Sequence, residues 1–476
     1  MEGKKGISED WLSLWMGLFI FILGLGVFIG WDILGWGIKT NVWTDITKSM
    51  SPFSGALKAM PGLTSLFLTY LFMLIITMVG AIAMGANVNR FVWSFSLVFW
   101  ISYGCWLLGH FGYIAATDAA KMKIGWSLKL TGEAGFVVAL IVGLIIGNFF
   151  TGFAKTLKEA VRPELYIKTA IVIMGAGLGV SAADAIGLAS AVLFRGLCAI
   201  IEAYLIYWAV VYFIARKYFK FSREWAAPLA SGISICGVSA AIATGGAIRA
   251  RPIVPIMVSS LVVIFAVVEL LILPFLAQWF LWAEPMVAGA WMGLAVKTDG
   301  AAVASGAIVD SLIRAKALAE LGVKYKEGWI LMTATTVKVF IDIFIGVWAF
   351  ILAVIWCSKI ECTGGRIKAS EIWDRFPKFV IGYVVTFVIM LTACLTFPSI
   401  IKTAKVATGE SNTFRVLFFV LTFFTIGVVS NFKKLWEEGI GRLAAVYVLC
   451  LFGFIIWVGL LISWIFFHGV HPPLAG

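Results

Sequence analysis

Four small polar side chains and two glycines crowd the segment Ser231-Gly232-Ile233-Ser234-Ile235-Cys236-Gly237-Val238-Ser239, inside an apolar stretch from about Trp225 to Ile248. Hydrocarbon cannot hydrogen-bond a freed backbone group, so irregular backbone at that depth must face protein or a water-filled cavity. Transporters build substrate sites in this way, from broken helices whose ends point at an ion. Ser234, Cys236, Gly237 and Ser239 are therefore expected to cradle a substrate. A second stretch, from Gly293 to Gly306, carries Lys297-Thr298-Asp299 among glycines that permit local unwinding. An ammonium, hydroxyls and helix N-terminal N–H groups together can replace the hydration shell of an oxyanion, so Lys297 and Thr298 join the substrate set. Asp299 or Asp342 would keep the empty site near neutrality and could take a proton or sodium ion. Lys338 and Asp342 lie one helical turn apart and read either as coupling or gating groups or as an internal ion pair. Arg195 and Glu202, seven residues apart on one face, read as an internal ion pair, and Glu269 stands alone in its span. Ionisable groups inside spans are costly and usually functional.

Other chemistries lack their signatures. There is no P-loop, H-E-x-x-H motif, nucleophile elbow or dinucleotide fingerprint, so an enzyme is not expected. His110, His468 and His471 fall at span ends or in the tail. The seven cysteines are scattered, and the lone Cys357/Cys362 pair has no further ligands for zinc, so neither a metal site nor a disulfide framework is expected. No cofactor is indicated; sodium or protons are the candidate coupling ions. The net charge of +12 is spread over loops rather than gathered in a basic patch, which argues against nucleic acid as a partner. The partners indicated are a small anion and the lipid bilayer, with a homodimer as a compatible assembly.

These residues need a membrane-spanning frame, and the composition supplies one. The chain of 476 residues is 62% hydrophobic and 13% charged, with a mean hydropathy of +1.01. Soluble domains run near half apolar and a quarter charged, so this is an all-α polytopic membrane protein. At about 20 apolar residues per span, about thirteen candidate segments appear, roughly 11–33, 62–84, 91–108, 132–150, 165–181, 186–214, 225–248, 253–276, 286–308, 328–356, 379–397, 412–430 and 441–467. The connection 35–61 is amphipathic, and 309–327 reads as a charged helical connector. A modest Lys/Arg excess on one side predicts a cytoplasmic N-terminus and an external C-terminus. Ile173 to Ser181 resembles Phe424 to Ser430, and the two lie in spans of opposite sense. Inverted repeats would explain this likeness, and so would small residues serving close helix packing.

The string Ser234-Ile235-Cys236-Gly237-Val238-Ser239-Ala240, with Ala243-Thr244 and Ile248-Arg249-Ala250, resembles the signature of the YeiH family. Gly143 to Asn148, Ile173 to Gly179 and Gly293 to Gly306 follow in matching order. The likeness covers about 132–470 and sets 1–131 apart as an extra N-terminal unit of about three spans, with 132–476 as the transporter core of about ten. The resemblance implies a bacterial inner-membrane protein related to cation–proton antiporters and anion transporters. It implies inverted repeats with discontinuous, crossing helices, and sulfate export as the activity. One departure stands out: where that family commonly carries a His-Glu pair, this chain reads Lys297-Thr298, with the acid displaced to Asp299. The expected function is secondary active transport, by alternating access, of sulfate or a related sulfur oxyanion or organosulfonate. Substrate would be held by Ser234, Cys236, Gly237, Ser239, Lys297 and Thr298, with Asp299, Lys338 and Asp342 coupling or gating. A cation–proton antiporter titrating Asp299 and Lys297, or a carboxylate transporter, is the alternative.

Overall fold

The computed structural model describes residues 7–116, 121–128, 130, 132, 134–251, 253–359, 373, 377–431 and 441–475. In chain order the principal elements are α1 (Glu9–Gly24), the strands β1 (Ile38–Thr40) and β2 (Met50–Pro52), α2 (Gly62–Ala83), α3 (Val88–Gly109), α4 (Ala134–Phe149) and α5 (Pro163–Asp184). Then come α6 (Ile186–Lys217), α7 (Arg223–Ser234), α8 (Val238–Ala247), α9 (Ile253–Phe280), α10 (Pro285–Ala295) and α11 (Asp299–Leu321). The chain continues through α12 (Trp329–Ile343), α13 (Ile345–Lys359), α14 (Lys378–Thr396), α15 (Ile401–Val429) and α16 (Gly441–Phe467).

The protein is an all-helical polytopic membrane protein. Among the described residues, ten helical segments are long and apolar enough to cross a bilayer. They coincide with ten of the thirteen segments expected from the sequence. The other three contain the shorter apolar helices α4, α8 and α10. Two of these three are halves of interrupted helices, and that interruption is what builds the site described below. The 35–61 connection contains the small antiparallel ribbon β1–β2, with Ile38 opposite Pro52. The Cys357/Cys362 pair and Lys433-Lys434 fall outside the residues whose side chains are described.

Two compact units divide the chain: Met1–Ile186 with Lys378–Val429, and Gly187–Pro377 with Ser430–Gly476. Residues 1–131 lie wholly in the first unit. There α5 is the central helix, with most of its residues buried, as its largely apolar circumference requires. It packs on α1, α14 and α15. The Arg162 and Lys168 side chains hold α1 through Glu9 and Asp10, each at 2.7 Å. The glycines that suggested a repeat serve close packing here. Gly175 and Gly179 lie against the α14 backbone at Tyr383 and Phe387, and Gly427 of α15 lies against α4 at Leu140 and Leu144. Small residues allow helix backbones this proximity.

In the second unit, α7, α8, α10 and α11 pack around α9, while α12 packs on α10 and α11. The charged connector expected at 309–327 is largely the continuation of α11. Its Asp310 carboxylate accepts from the Gly328 and Ile330 amides at 3.1 Å, capping the start of α12, and pairs with Arg314 at 2.7 Å. Such a cap satisfies amide donors that a helix start leaves open. On the unit's surface, Arg251 forks onto Glu224 at 2.9 and 3.0 Å. Those bonds hold the Glu224 carboxyl below the ordinary glutamate range.

Candidate functional site

The apolar stretch around Cys236 is indeed a broken helix. α7 stops at Ser234, Ile235 turns to φ −103°, ψ −99°, and Gly237 takes φ +73°, ψ −111° before α8 begins. Only glycine adopts that backbone readily. A Cβ at Gly237 would also fall 2.6 Å from Val262 Cγ1, 3.1 Å from Lys297 O and 3.2 Å from Thr298 Cγ2. The second interruption sits against the first. α10 ends at Ala295, Val296 is extended, and Thr298 caps α11 by accepting from the Ala301 amide at 3.2 Å. Thus two discontinuous helices meet at residues 235–237 and 296–298.

Lys338 lies where they meet. Its Nζ, 1% exposed, donates to Ile235 O at 2.8 Å, to Lys297 O at 3.3 Å and to Val296 O at 3.4 Å. Helix C-termini carry partial negative charge and unpaired carbonyls. A single ammonium from α12 meets these ends of both broken helices at once. It also stands 3.9 Å from Asp299 Oδ1. Cys236 Sγ and carboxylate oxygens of Asp299 and Asp342 lie within 4.8 Å of one another, all buried. This group carries its own cation, the Lys338 ammonium.

Lys297 belongs to a second group. Its Nζ donates to Leu294 O and lies 4.6 Å from the Tyr207 ring centroid. Its backbone N–H donates to Glu269 Oε2 of α9 at 2.9 Å. Glu202 and Glu269 are the acids within electrostatic reach of its ammonium. A π-helical turn at Glu202–Tyr207 puts Glu202, Tyr204 and Tyr207 all into the interior. Tyr207 Oη donates to Ile455 O at 2.9 Å, and Tyr204 Oη to Ile341 O at 2.5 Å. Gly459 leaves room there, since a Cβ would sit 2.7 Å from Tyr207 Oη. π-turns of this kind recur at functional sites.

The residues singled out from sequence separate accordingly. Cys236, Asp299, Lys338 and Asp342 come together, and Gly237 is the contact between the two breaks. Ser234 is fully buried at the end of α7, and its Oγ has no hydrogen-bond partner. Ser239 is partly exposed in the first turn of α8. Thr298 uses its hydroxyl as a cap. The pair expected between Arg195 and Glu202 does not form: Arg195 donates to Phe466 O at 2.9 Å, while Glu202 is buried at the start of the π-turn. Ser231 serves structure, since its hydroxyl accepts from Thr244 Oγ1 at 2.7 Å and Trp208 Nε1 at 2.9 Å. Sequence reasoning missed Tyr204, Tyr207 and Gly459. Glu202 and Glu269 were legible as intramembrane acids, but their partners were not.

Comparison with known proteins gives a consistent affiliation. The family model described as Conserved hypothetical protein 698 matches residues 113–446. A UPF0324 membrane protein of Nitrosomonas europaea is 41% identical over 478 residues, covering 98% of this chain and 97% of its own, so the similarity extends through residues 1–131. An uncharacterized Archaeoglobus fulgidus protein is 53% identical over 166 residues, covering 30% of this chain and 89% of its own. A UPF0324 membrane protein of Nitratidesulfovibrio vulgaris is 30% identical over 384 residues, covering 78% of this chain and 61% of its own. No solved structure matches. With the signature at the first break and a whole-length relative in agreement, the chain belongs to the YeiH/UPF0324 family of membrane proteins.

Proposed function

We propose that this protein is a secondary active transporter that carries a small anion, sulfate or a related sulfur oxyanion or organosulfonate, by alternating access. The observation that carries the reading is the meeting of two broken helices around the buried Lys338 ammonium. Continuous helices satisfy their own backbone, whereas these expose helix ends at a depth where water is scarce, an arrangement suited to holding an ion. Gly237 has no side chain to cap the first turn of α8, so the amides there are suited to an oxyanion. Charge sets a further condition. Glu202, Glu269, Asp299 and Asp342 are buried with Lys297 and Lys338, four acids against two bases. A region with that formal excess of negative charge accepts an anion only with protons or sodium ions, so transport is ion-coupled.

The same acid excess supports the second reading, cation–proton antiport, in which anions play no part. The proposal puts the protein in the cell inner membrane, N-terminus in the cytoplasm and the His471 tail outside, in keeping with its Lys/Arg bias. Reconstitution decides between the readings. Proteoliposomes holding labelled sulfate, sulfonates or carboxylates are given a proton or sodium gradient, with wild type and Lys297→Ala compared. Saturable anion flux that follows one gradient and falls in the variant is the expected result. Sodium–proton exchange without anion dependence would establish the antiporter. If no anion moves, and the two proteins behave alike, the anion reading is wrong.

A further inference from the structure

Glu269 has so far entered only as the acceptor of the Lys297 amide and as one buried acid among four. It is fully buried midway along α9, an unbroken helix, and it reaches the α10–α11 interruption from the side. Oε2 accepts the Lys297 amide at 2.9 Å, while Oε1 has no hydrogen-bond partner. A buried acceptor left bare costs free energy unless something occupies it. Among the described residues, the charged or titratable groups that act on this carboxyl include Lys297 in the interruption, Lys338 on α12 and Tyr447 on α16. α10 carries no charged residue, and the acids and bases of α7 lie at its surface end, at Arg223 and Glu224. In α8 there are none. Those of α11 beyond Asp299 begin at Asp310, three turns on.

We propose that Glu269 is the proton-binding site that couples ion movement to this transporter, a deepening that rests on the transport reading above. The bare Oε1 takes a proton delivered from water, converting carboxylate to carboxylic acid with no other bond changed. Residue 297 passes the change on. Its N–H is held by Glu269 and its C=O by Lys338, so one residue joins the carboxyl on α9 to the ammonium between the two broken helices. Protonation weakens the charge-assisted bond to the Lys297 amide. It also removes the negative charge facing the Lys297 ammonium. Both effects loosen the 296–298 segment against Lys338 and free that ammonium for an anion. Lys297 thereby acts through its backbone as well as its side chain, in a way that substitution of the side chain alone would not reveal.

The test reads the proton directly. Purified protein is titrated in lipid while infrared difference spectra follow the carbonyl stretch of a protonated carboxyl. A titrating band should appear in wild type, vanish in Glu269→Gln and persist in Asp342→Asn. In Glu269→Asp, the shortened side chain breaks the bond to the Lys297 amide, so the band should remain with a displaced midpoint. That variant carries the test if Glu269→Gln does not fold. A band unchanged in Glu269→Gln, or an unmoved midpoint in Glu269→Asp, would overturn the proposal. Proteoliposomes then measure collapse of an imposed pH gradient. Loss of proton movement in Glu269→Gln with binding of labelled sulfate retained is expected. Absence of any flux in wild type would instead sink the transport reading, while the spectra still decide whether Glu269 titrates.

Discussion

Replacing Lys338 by Met keeps all but the last atom of the side chain's length and removes its charge, which isolates what the ammonium does. Its 2.8 Å bond to Ile235 O is charge-assisted, a type worth about 1.5–3 kcal/mol. The contacts to Lys297 O and Val296 O, at 3.3 and 3.4 Å, add less. Asp299, 3.9 Å away and 2% exposed, would lose this ammonium. Removing one partner of a buried pair costs about 3–5 kcal/mol, largely because the other charge stays behind. The three carbonyls and the carboxylate draw on the same ammonium, so these figures overlap rather than sum. Lys338→Met should therefore lower the unfolding free energy by about 3–5 kcal/mol. Reversible unfolding in mixed micelles measures it. Adding Asp299→Asn should restore part of the loss, with a coupling of about 1–3 kcal/mol in the double-mutant cycle. A Lys338→Met protein within about 0.5 kcal/mol of wild type, as for an ordinary surface change, would refute the claim that this ammonium joins the two breaks.

Two further outcomes test the same geometry. Gly237→Ala forces a side chain into φ +73° and to within 2.6 Å of Val262; it should cost roughly 1–3 kcal/mol and abolish flux. Gly177→Ala, where an added Cβ meets nothing within 4 Å, should be neutral or stabilising by up to about 1 kcal/mol, and equal effects of the two would count against the break. Because its carboxyl is held below the ordinary range, Glu224 adds stability that is present above the usual glutamate value of about 4.3 and lost as pH falls through the lowered one. Glu224→Gln should lower stability slightly at neutral pH, leave it unchanged below the lowered value and so flatten the acid limb of a pH–stability curve, and an unaltered acid limb would remove this pair from the account.

Much of the frame was legible because the bilayer imposes it. Every long apolar segment had to be a helix, since no other open chain segment satisfies its own backbone in hydrocarbon. The interruption at Gly237 was legible for a local reason: glycine with small polar neighbours marks positions where helix is weakly favoured. The interruption at Lys297 was readable from the same signs. The spans containing α8 and α10 differ from the rest in having short helical halves, and glycine and polar content foretold that as well.

Partnership is where reading along the chain stopped. Spacing suggested Lys338 with Asp342 and Arg195 with Glu202, because periodicity ranks neighbours on the same helix. The structure also brings Lys338 to carbonyls of Ile235, Val296 and Lys297, some 40 and 100 residues away along the chain. Arg195 turns to Phe466 O, while Glu202 lies buried at the start of a π-turn that no simple periodicity anticipates. Likewise Glu269 is a lone acid in its own helix and acquires meaning only through the Lys297 amide. Composition and glycine placement, set by solvent and by backbone preference, were enough to determine a helical membrane protein with two weakened spans. Which charge meets which helix end depends on how separate helices pack, and only the tertiary structure decided that.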